Sequence, residues 1–258
     1  MSKLNTTLRT LAAAAVLAAG AVHAAPAAEA KDQASVVIVH GAFADGSDWA
    51  KVIPLLQAKG VKVTAIQNPL TSLKDDVAVT KRVLDAQTGK VVLVGHSWGG
   101  SVISEAGQHD KVANLVYVAA FALEPGQASA EVGKGYPVPP GAKKFVADAE
   151  GFLTLPLAAM REDFAQDVPA AQAAVMTATQ GPIQVKAFEE RATVAAWKTK
   201  PSYYIVAGKD RMIDPQLQRD LAKKIGARST ELPTSHVPQQ SRPADVAKVI
   251  LDAVAAAR

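Results

Sequence analysis

The stretch Val91-Val92-Leu93-Val94-Gly95-His96-Ser97-Trp98-Gly99-Gly100 decides the fold. Its four leading residues are apolar and mostly β-branched, the composition of a strand buried on both faces. Gly-x-Ser-x-Gly follows without a spacer, and the small-residue run 99–107 can pack as a helix. A strand that turns straight into a helix holds the turning residue in a strained conformation, so its neighbours, Gly95 and Gly99, must lack bulk. The same turn lifts the Ser97 hydroxyl above the sheet edge. It also puts the Trp98 N–H in the first turn of a helix, where backbone donors have no intrahelical partner. The pattern, with a strand before it and a helix after it, reads Ser97 as a nucleophile.

Working outward, residues 36–39 form a continuous apolar strand that ends in His40-Gly41-Ala42-Phe43. Ser47 can cap a helix with Trp49, Val52, Ile53 and Leu56 at helical spacing and Gly60 as its stop. Residues 61–66 read as a second strand. Thr71 or Ser72 then opens a helix with Asp75 and Asp76 in its first turn and Lys81 and Arg82 later, matching the helix dipole, and Gly89 ends it. Downstream, residues 112–121 read as a strand running into a loop. Strands alternating with helices imply an α/β fold: a mostly parallel sheet of about six strands with helices on both faces.

Between Glu124 and Trp197 the rhythm breaks. Prolines at 125, 137, 139, 140, 156, 169 and 182 punctuate short helical pieces at 161–166 and 170–180, and nothing there alternates like a strand. Phe145, Phe152, Leu153, Leu155, Leu157, Phe164 and Phe188 make the segment too apolar for a disordered loop, so it is expected to be a helical cap over the sheet's carboxyl edge. Strand character returns at 202–207. A helix from Pro215 presents Leu217, Leu221 and Ile225 on one face, residues 228–232 form the last strand, and a final helix starts at about Ser241.

The beginning of the chain has a different character. Lys3 and Arg9 precede an apolar run 11–22 and the small-residue site Val22-His23-Ala24, so residues 1–24 are expected to be an export signal and 25–34 a loose leader. The apolar run falls short of the roughly 20 residues a membrane span needs, and no later segment reaches that length. The domain would then be 35–258, exported to the periplasm or beyond. Without Lys3 and Arg9 the formal charge of +4 falls to +2, and no basic cluster marks a nucleic-acid surface. The chain has no cysteine, which removes disulfides, thiolate metal sites and a Cys nucleophile together.

A serine hydroxyl needs a base within reach and a third group to orient that base. Of the histidines, His96 adjoins the nucleophile on a side chain turned away from it, His109 lies past the following helix, and His40 ends the first strand. His236 alone lies on a loop after the last strand, in the chain order Ser, acid, His. Two acids compete to orient it. Asp214 precedes Pro215, an N-cap arrangement that already accounts for it, so Asp210, directly after a strand, is the expected partner and Glu124 a distant third. The oxyanion donors are expected to be the backbone N–H groups of Trp98 and Ala42, with Gly41 and Phe43 beside the substrate. His40 would brace the loop. Asp45 and Asp48 lack a histidine at ligand spacing and read as a solvated loop, not a metal site.

These stretches, with Trp49, Pro54-Leu55-Leu56, Lys62-Val63-Thr64-Ala65, residues 115–121 and Ser235-His236, resemble the α/β-hydrolase superfamily, in its branch of plant methylesterases and hydroxynitrile lyases. The resemblance spans nearly all of the chain from Val36, most loosely in the cap. It implies a cofactor-free enzyme acting on a small molecule, with the triad Ser97, Asp210 and His236. In the branch's lyases a Thr follows the first-strand His and a Lys follows the triad His. Gly41 and Val237 stand at those places here, and both depart toward the esterase pattern. The expectation is a serine hydrolase of small carboxylic esters. Amide or lactone hydrolysis, a lyase, and a non-catalytic small-ligand binder remain as alternatives. Stable membrane association is not expected, and the sequence leaves the oligomeric state open.

Overall fold

The computed structural model describes residues 33–257, so the expected export signal lies outside the described residues. Six strands form the main sheet: β1 (Ser35–Val39), β2 (Val63–Ala65), β3 (Val91–His96), β4 (Val112–Val118), and, after the cap, β8 (Ser202–Ala207) and β9 (Arg228–Leu232). Their order is β2-β1-β3-β4-β8-β9, and every pairing is parallel. Parallel strands need crossovers, and here helices supply them: α1 (Ile53–Gln57), α2 (Leu73–Asp85), α3 (Trp98–Ala106), α7 (Pro215–Lys224) and, at the end, α8 (Pro238–Ser241) and α9 (Pro243–Ala256).

Successive side chains of a strand point to opposite faces, so unbroken apolar strands feed two cores. Val37, Val39, Leu93, Leu115, Tyr117 and Tyr204 pack with α2, α3, α7 and the cap. Val36, Ile38, Val92, Val94, Val116 and Ile205 pack with Trp49, Leu56 and the α9 residues Val246, Val249 and Ile250. The central strand β3 is buried along its whole length, which is why its sequence shows no polar alternation.

Several boundaries tighten. The turn before α1 is a short 3-10 helix, Gly46–Trp49, whose first N–H groups are capped by Asp45 rather than by Ser47. Ser72, not Thr71, caps α2. Gly60 has φ 78°, a conformation glycine adopts without strain. The fourth strand stops at Val118, and α9 starts at Pro243.

The cap is not wholly helical, which corrects the sequence reading. Beside α4 (Ser129–Val132), α5 (Leu157–Ala159) and α6 (Ala170–Thr179) it contains three short strands, β5 (Val146–Ala147), β6 (Phe152–Thr154) and β7 (Ile183–Gln184), paired antiparallel in the order β5-β6-β7. Two- and three-residue strands are too short to display an alternating pattern. The piece expected as a helix at 161–166 is a π-helical turn, Met160–Phe164. Among the described residues no helix is long and apolar enough to cross a membrane.

Candidate active site

Ser97 sits between β3 and α3 at φ 51° and ψ −117°, outside the usual regions for a residue with a side chain. Such strain persists only where the surroundings over-determine it. A Cβ on Gly95 would come within 2.5 Å of the Gly99 carbonyl oxygen, and one on Gly99 would strike the Val39 carbonyl. Both glycines are therefore demanded by the close approach of β1, β3 and α3. Backbone bonds fix the serine from the sheet side, with Ser97 N–H donating to the Val118 carbonyl at 3.1 Å and Phe121 N–H to the Ser97 carbonyl at 3.2 Å.

The loop after β1 lies directly against this turn. A Cβ on Gly41 would come within 2.9 Å of both Ser97 Cβ and His96 Nδ1, so only glycine lets the chain pass here. Ala42, the next residue, is buried. Among the described residues neither the Ala42 N–H nor the Trp98 N–H, in the first turn of α3, donates to another backbone or side-chain group. His40 braces the loop as expected: its Nε2 accepts from the Asn68 N–H at 2.9 Å, and its carbonyl accepts from Asn68 Nδ2 at 3.0 Å. Phe43, at φ 59°, stacks on Phe145 of the cap with ring centroids 4.9 Å apart.

Asp210 and His236 meet as the chain order requires. His236 Nδ1 lies 2.6 Å from Asp210 Oδ2, and both side chains are almost wholly buried. Because the carboxylate accepts, Nδ1 carries the proton and Nε2 keeps a free lone pair. Asp210 Oδ1 also accepts from the Met212 and Ile213 N–H groups, at 2.7 and 3.0 Å. Asp214 is the N-cap of α7, accepting from Gln216 and Leu217 N–H, while Glu124 pairs with Lys198 at 2.8 Å. His109 is paired with Asp85, 3.0 Å away.

Two participants escaped the sequence reading. Gln218, on the first turns of α7 and fully buried, donates from Nε2 to Asp210 Oδ2 at 2.7 Å and to the Ile213 carbonyl at 3.0 Å. Its Oε1 accepts from the Ala207 N–H at 2.9 Å. A glutamine at that spacing from an acid carries no signal until the strand, loop and helix are folded together. The other is His96, whose Nε2 donates to the His236 carbonyl at 2.8 Å, with the two rings 4.8 Å apart. Burial, and then the neighbouring His236, hold His96 well below the usual imidazole value, so it stays neutral.

Asp48 corrects the reading of a solvated loop. It is buried, accepts from Gln239 Nε2 at 2.5 Å and Gln240 Nε2 at 2.7 Å, and lies 4.0 Å from His96 Nδ1. Burial pushes its carboxyl up, against the two glutamine donors. Beside the Trp98 ring, Asp76 is sealed from solvent and accepts from the Trp98 indole at 2.7 Å and the Leu70 N–H at 2.9 Å. Burial raises it to about 6.

Two cavities are lined by residues adjoining the site, and neither is lined by Ser97 or His236. One, of about 430 Å³, lies between Phe121 after β4, the Ser129, Tyr136 and Pro137 region of the cap, and Met212 and Ile213 beyond the acid. The other, of about 260 Å³, lies between Phe43, Asp48 and Lys51 and the cap residues Gln172, Met176 and Thr179. Gly41 lines neither; it is spent on the approach to Ser97.

Known proteins are similar to this chain in sequence and fold. A pyrethroid hydrolase from Sphingobium wenxiniae is 29% identical over 251 residues, covering 84% of this chain and 86% of its own length. The salicylic acid-binding protein 2 of Nicotiana tabacum is 34% identical over 106 residues, 35% of this chain and 41% of that protein. The crystal structure of a pyrethroid hydrolase from Sphingobium faniae JZ-2 superposes with a TM-score of 0.74 at 27% identity, covering 86% of this chain and 98% of the other. The model of the alpha/beta hydrolase family matches residues 36–249, from the first strand of the sheet into its last helix, and the chain belongs to that family.

Proposed function

We propose that the protein hydrolyses small, largely apolar carboxylic esters through an acyl-serine intermediate. The observation that carries this proposal is the buried 2.6 Å contact of His236 Nδ1 with Asp210, which orients the imidazole and leaves Nε2 as the ring nitrogen that can act as a base. His236 takes the Ser97 proton as the hydroxyl oxygen attacks the ester carbonyl. The carbonyl oxygen becomes an oxyanion and takes hydrogen bonds from the Ala42 and Trp98 N–H groups, which have no other acceptor among the described residues. His236 returns the proton to the leaving alcohol, and the acyl group remains on Ser97. A water then attacks under the same base, releasing the acid and restoring the serine.

The protein is a carboxylic-ester hydrolase, as its relatives are named for hydrolysing pyrethroids and for methylesterase activity. The larger of the two cavities is lined mostly by apolar residues, with Lys134 and Asp214 its charged ones, which favours an uncharged substrate with an aromatic or alicyclic part. Val237, fully buried and apolar, stands next to His236 and offers no cation to a cyanide leaving group. We also propose that the protein acts after export, supported by the leader 1–24. Edman sequencing of the secreted protein should begin near Ala25, and an intact Met1 in it would overturn this.

Incubation with a p-nitrophenyl organophosphate should label one site, Ser97, by mass spectrometry and abolish turnover of p-nitrophenyl acetate. Ser97→Ala should lose both. Labelling elsewhere, or labelling at Ser97 without turnover of any ester, would overturn the proposal; the second result would make the protein a binder.

A further inference from the structure

The cap reaches both loops that carry the acid and the base, and it does so from one short segment. In residues 163–167, Gln166 Nε2 donates to the Lys209 carbonyl, immediately before Asp210, at 2.7 Å. Asp167 Oδ2 accepts from the Ser235 N–H, immediately before His236, at 2.8 Å. Asp163, whose side chain is fully buried, pairs with Arg211 Nε, immediately after Asp210, at 2.7 Å. Phe164 lays its ring edge-on to the His236 ring, with centroids 5.0 Å apart at 71°. Elsewhere in the cap, the Gly141 N–H donates to the Arg211 carbonyl at 2.9 Å. The residues on both sides of the acid and the one before the base are thus held from above.

The π-helical turn Met160–Phe164 makes this possible. One wider turn shifts the register of the residues that follow it, and such turns recur where function fixes side-chain direction. None of residues 163–167 lines either cavity beside the site. The segment touches the acid and base loops.

We propose that Gln166 and Asp167 are positioning residues for the Asp210–His236 pair, clamping its two loops in register so that the 2.6 Å contact forms. This rests on the ester-hydrolase proposal above. The clamp acts on backbone groups one residue away from each partner, so its loss lets the loops slide without removing any reacting atom. Displacements of an ångström at a reacting centre lower rates by up to about a hundredfold. Asp167 is exposed, so water replaces part of what its removal takes away, and the smaller effect falls there.

The test compares Gln166→Glu, Asp167→Ala, the double variant, and Asp167→Asn, with rates normalised to the Ser97 sites titrated by organophosphate. Gln166→Glu turns a donor into an acceptor facing the Lys209 carbonyl and should lower kcat by about tenfold; Asp167→Ala should lower it about threefold. The double variant should lose ~30-fold or more at an unchanged KM. Asp167→Asn keeps an oxygen for the Ser235 N–H and should retain most of the wild-type kcat. A double variant within twofold of wild type per titrated site would overturn the proposal, as would a loss appearing in KM alone or an Asp167→Asn variant no better than Asp167→Ala. A wild-type protein that neither turns over esters nor titrates at Ser97 would instead sink the ester-hydrolase reading, and this one with it.

Discussion

Replacing Asp210 by Asn changes no volume and should nevertheless stop the enzyme. The side-chain amide has one oxygen where the carboxylate has two. Oδ1 of Asp210 accepts from two backbone N–H groups, of Met212 and Ile213, so the amide oxygen must take that place. Its NH2 then occupies the Oδ2 position, where it meets Gln218 Nε2 and His236 Nδ1. Two donors facing each other repel, and His236 can accept from the amide only by moving its own proton to Nε2. That tautomer cannot take a proton from Ser97. The expected loss in kcat is ~10,000-fold, or about 5.5 kcal/mol of transition-state stabilisation, the size of the loss for this change in a serine protease triad. Asp214→Asn is the internal control. Asn caps helices about as well as Asp, so that variant should keep kcat within about twofold. The assay is p-nitrophenyl acetate turnover over a pH series, with thermal melts to confirm that both variants are folded. A folded Asp210→Asn retaining more than a tenth of the wild-type kcat would refute the tautomer argument, and a crippled Asp214→Asn would move the acid's role to Asp214.

Two further outcomes follow from single positions. Gly41→Ala puts a methyl group 2.9 Å from Ser97 Cβ and His96 Nδ1, so kcat should fall at least ~100-fold while the melting temperature drops by only a few degrees; unchanged kinetics would show that the loop after β1 does not abut the nucleophile. Asp76 is raised from 3.8 to about 6 in the folded chain, so as pH rises the unfolded chain releases this proton first. Stability associated with Asp76 is therefore full below about pH 4 and is lost as pH rises through 6, by about 3 kcal/mol. Urea unfolding should show the stability of wild type relative to Asp76→Asn falling by that order between pH 4 and 7, and a pH-independent difference would refute it.

How much of this was legible in the sequence depended on how local the cause is. The nucleophile turn was legible because its demands fall on adjacent residues: Gly95 and Gly99 are required by backbones within contact distance, and no other residue satisfies them. The choice between two acids was legible because Asp214 followed by Pro215 spells an N-cap in two letters. The sheet was legible because strands buried on both faces read as unbroken apolar runs. By contrast, Gln218 and His96 act through groups 8 and 140 residues away, on the acid side chain and the base's carbonyl, and neither spacing has a pattern to recognise. Asp48 was misread for the same reason. What removes it from solvent is Gln239 and Gln240, 191 and 192 residues later. In the cap, strands of two or three residues gave no alternation, and a single π-turn leaves no mark on a sequence.

The nucleophile and the acid–base pair are therefore held by different means. Ser97 is fixed by continuous secondary structure, a fully buried strand entering a buried helix, and its strain is sustained by the two main cores. His236 lies on a loop that takes its geometry from four separate elements: β3 through the His96 ring, α7 through Gln218 and Asp210, the stretch after β1 through Asp48 and the glutamines of α8, and the cap through Asp167. Each contact is one or two hydrogen bonds, each worth about 0.5–1.5 kcal/mol net to folding, and leaving a buried partner unpaired costs more than the bond itself contributes. Substitutions around Ser97 should thus strain the rigid turn and its packing together. Substitutions around His236 should leave a folded protein in which the base wanders. Loops built this way can be retuned one contact at a time without disturbing the sheet, so variation among relatives in rate is expected to concentrate around the histidine, and variation in stability around the serine.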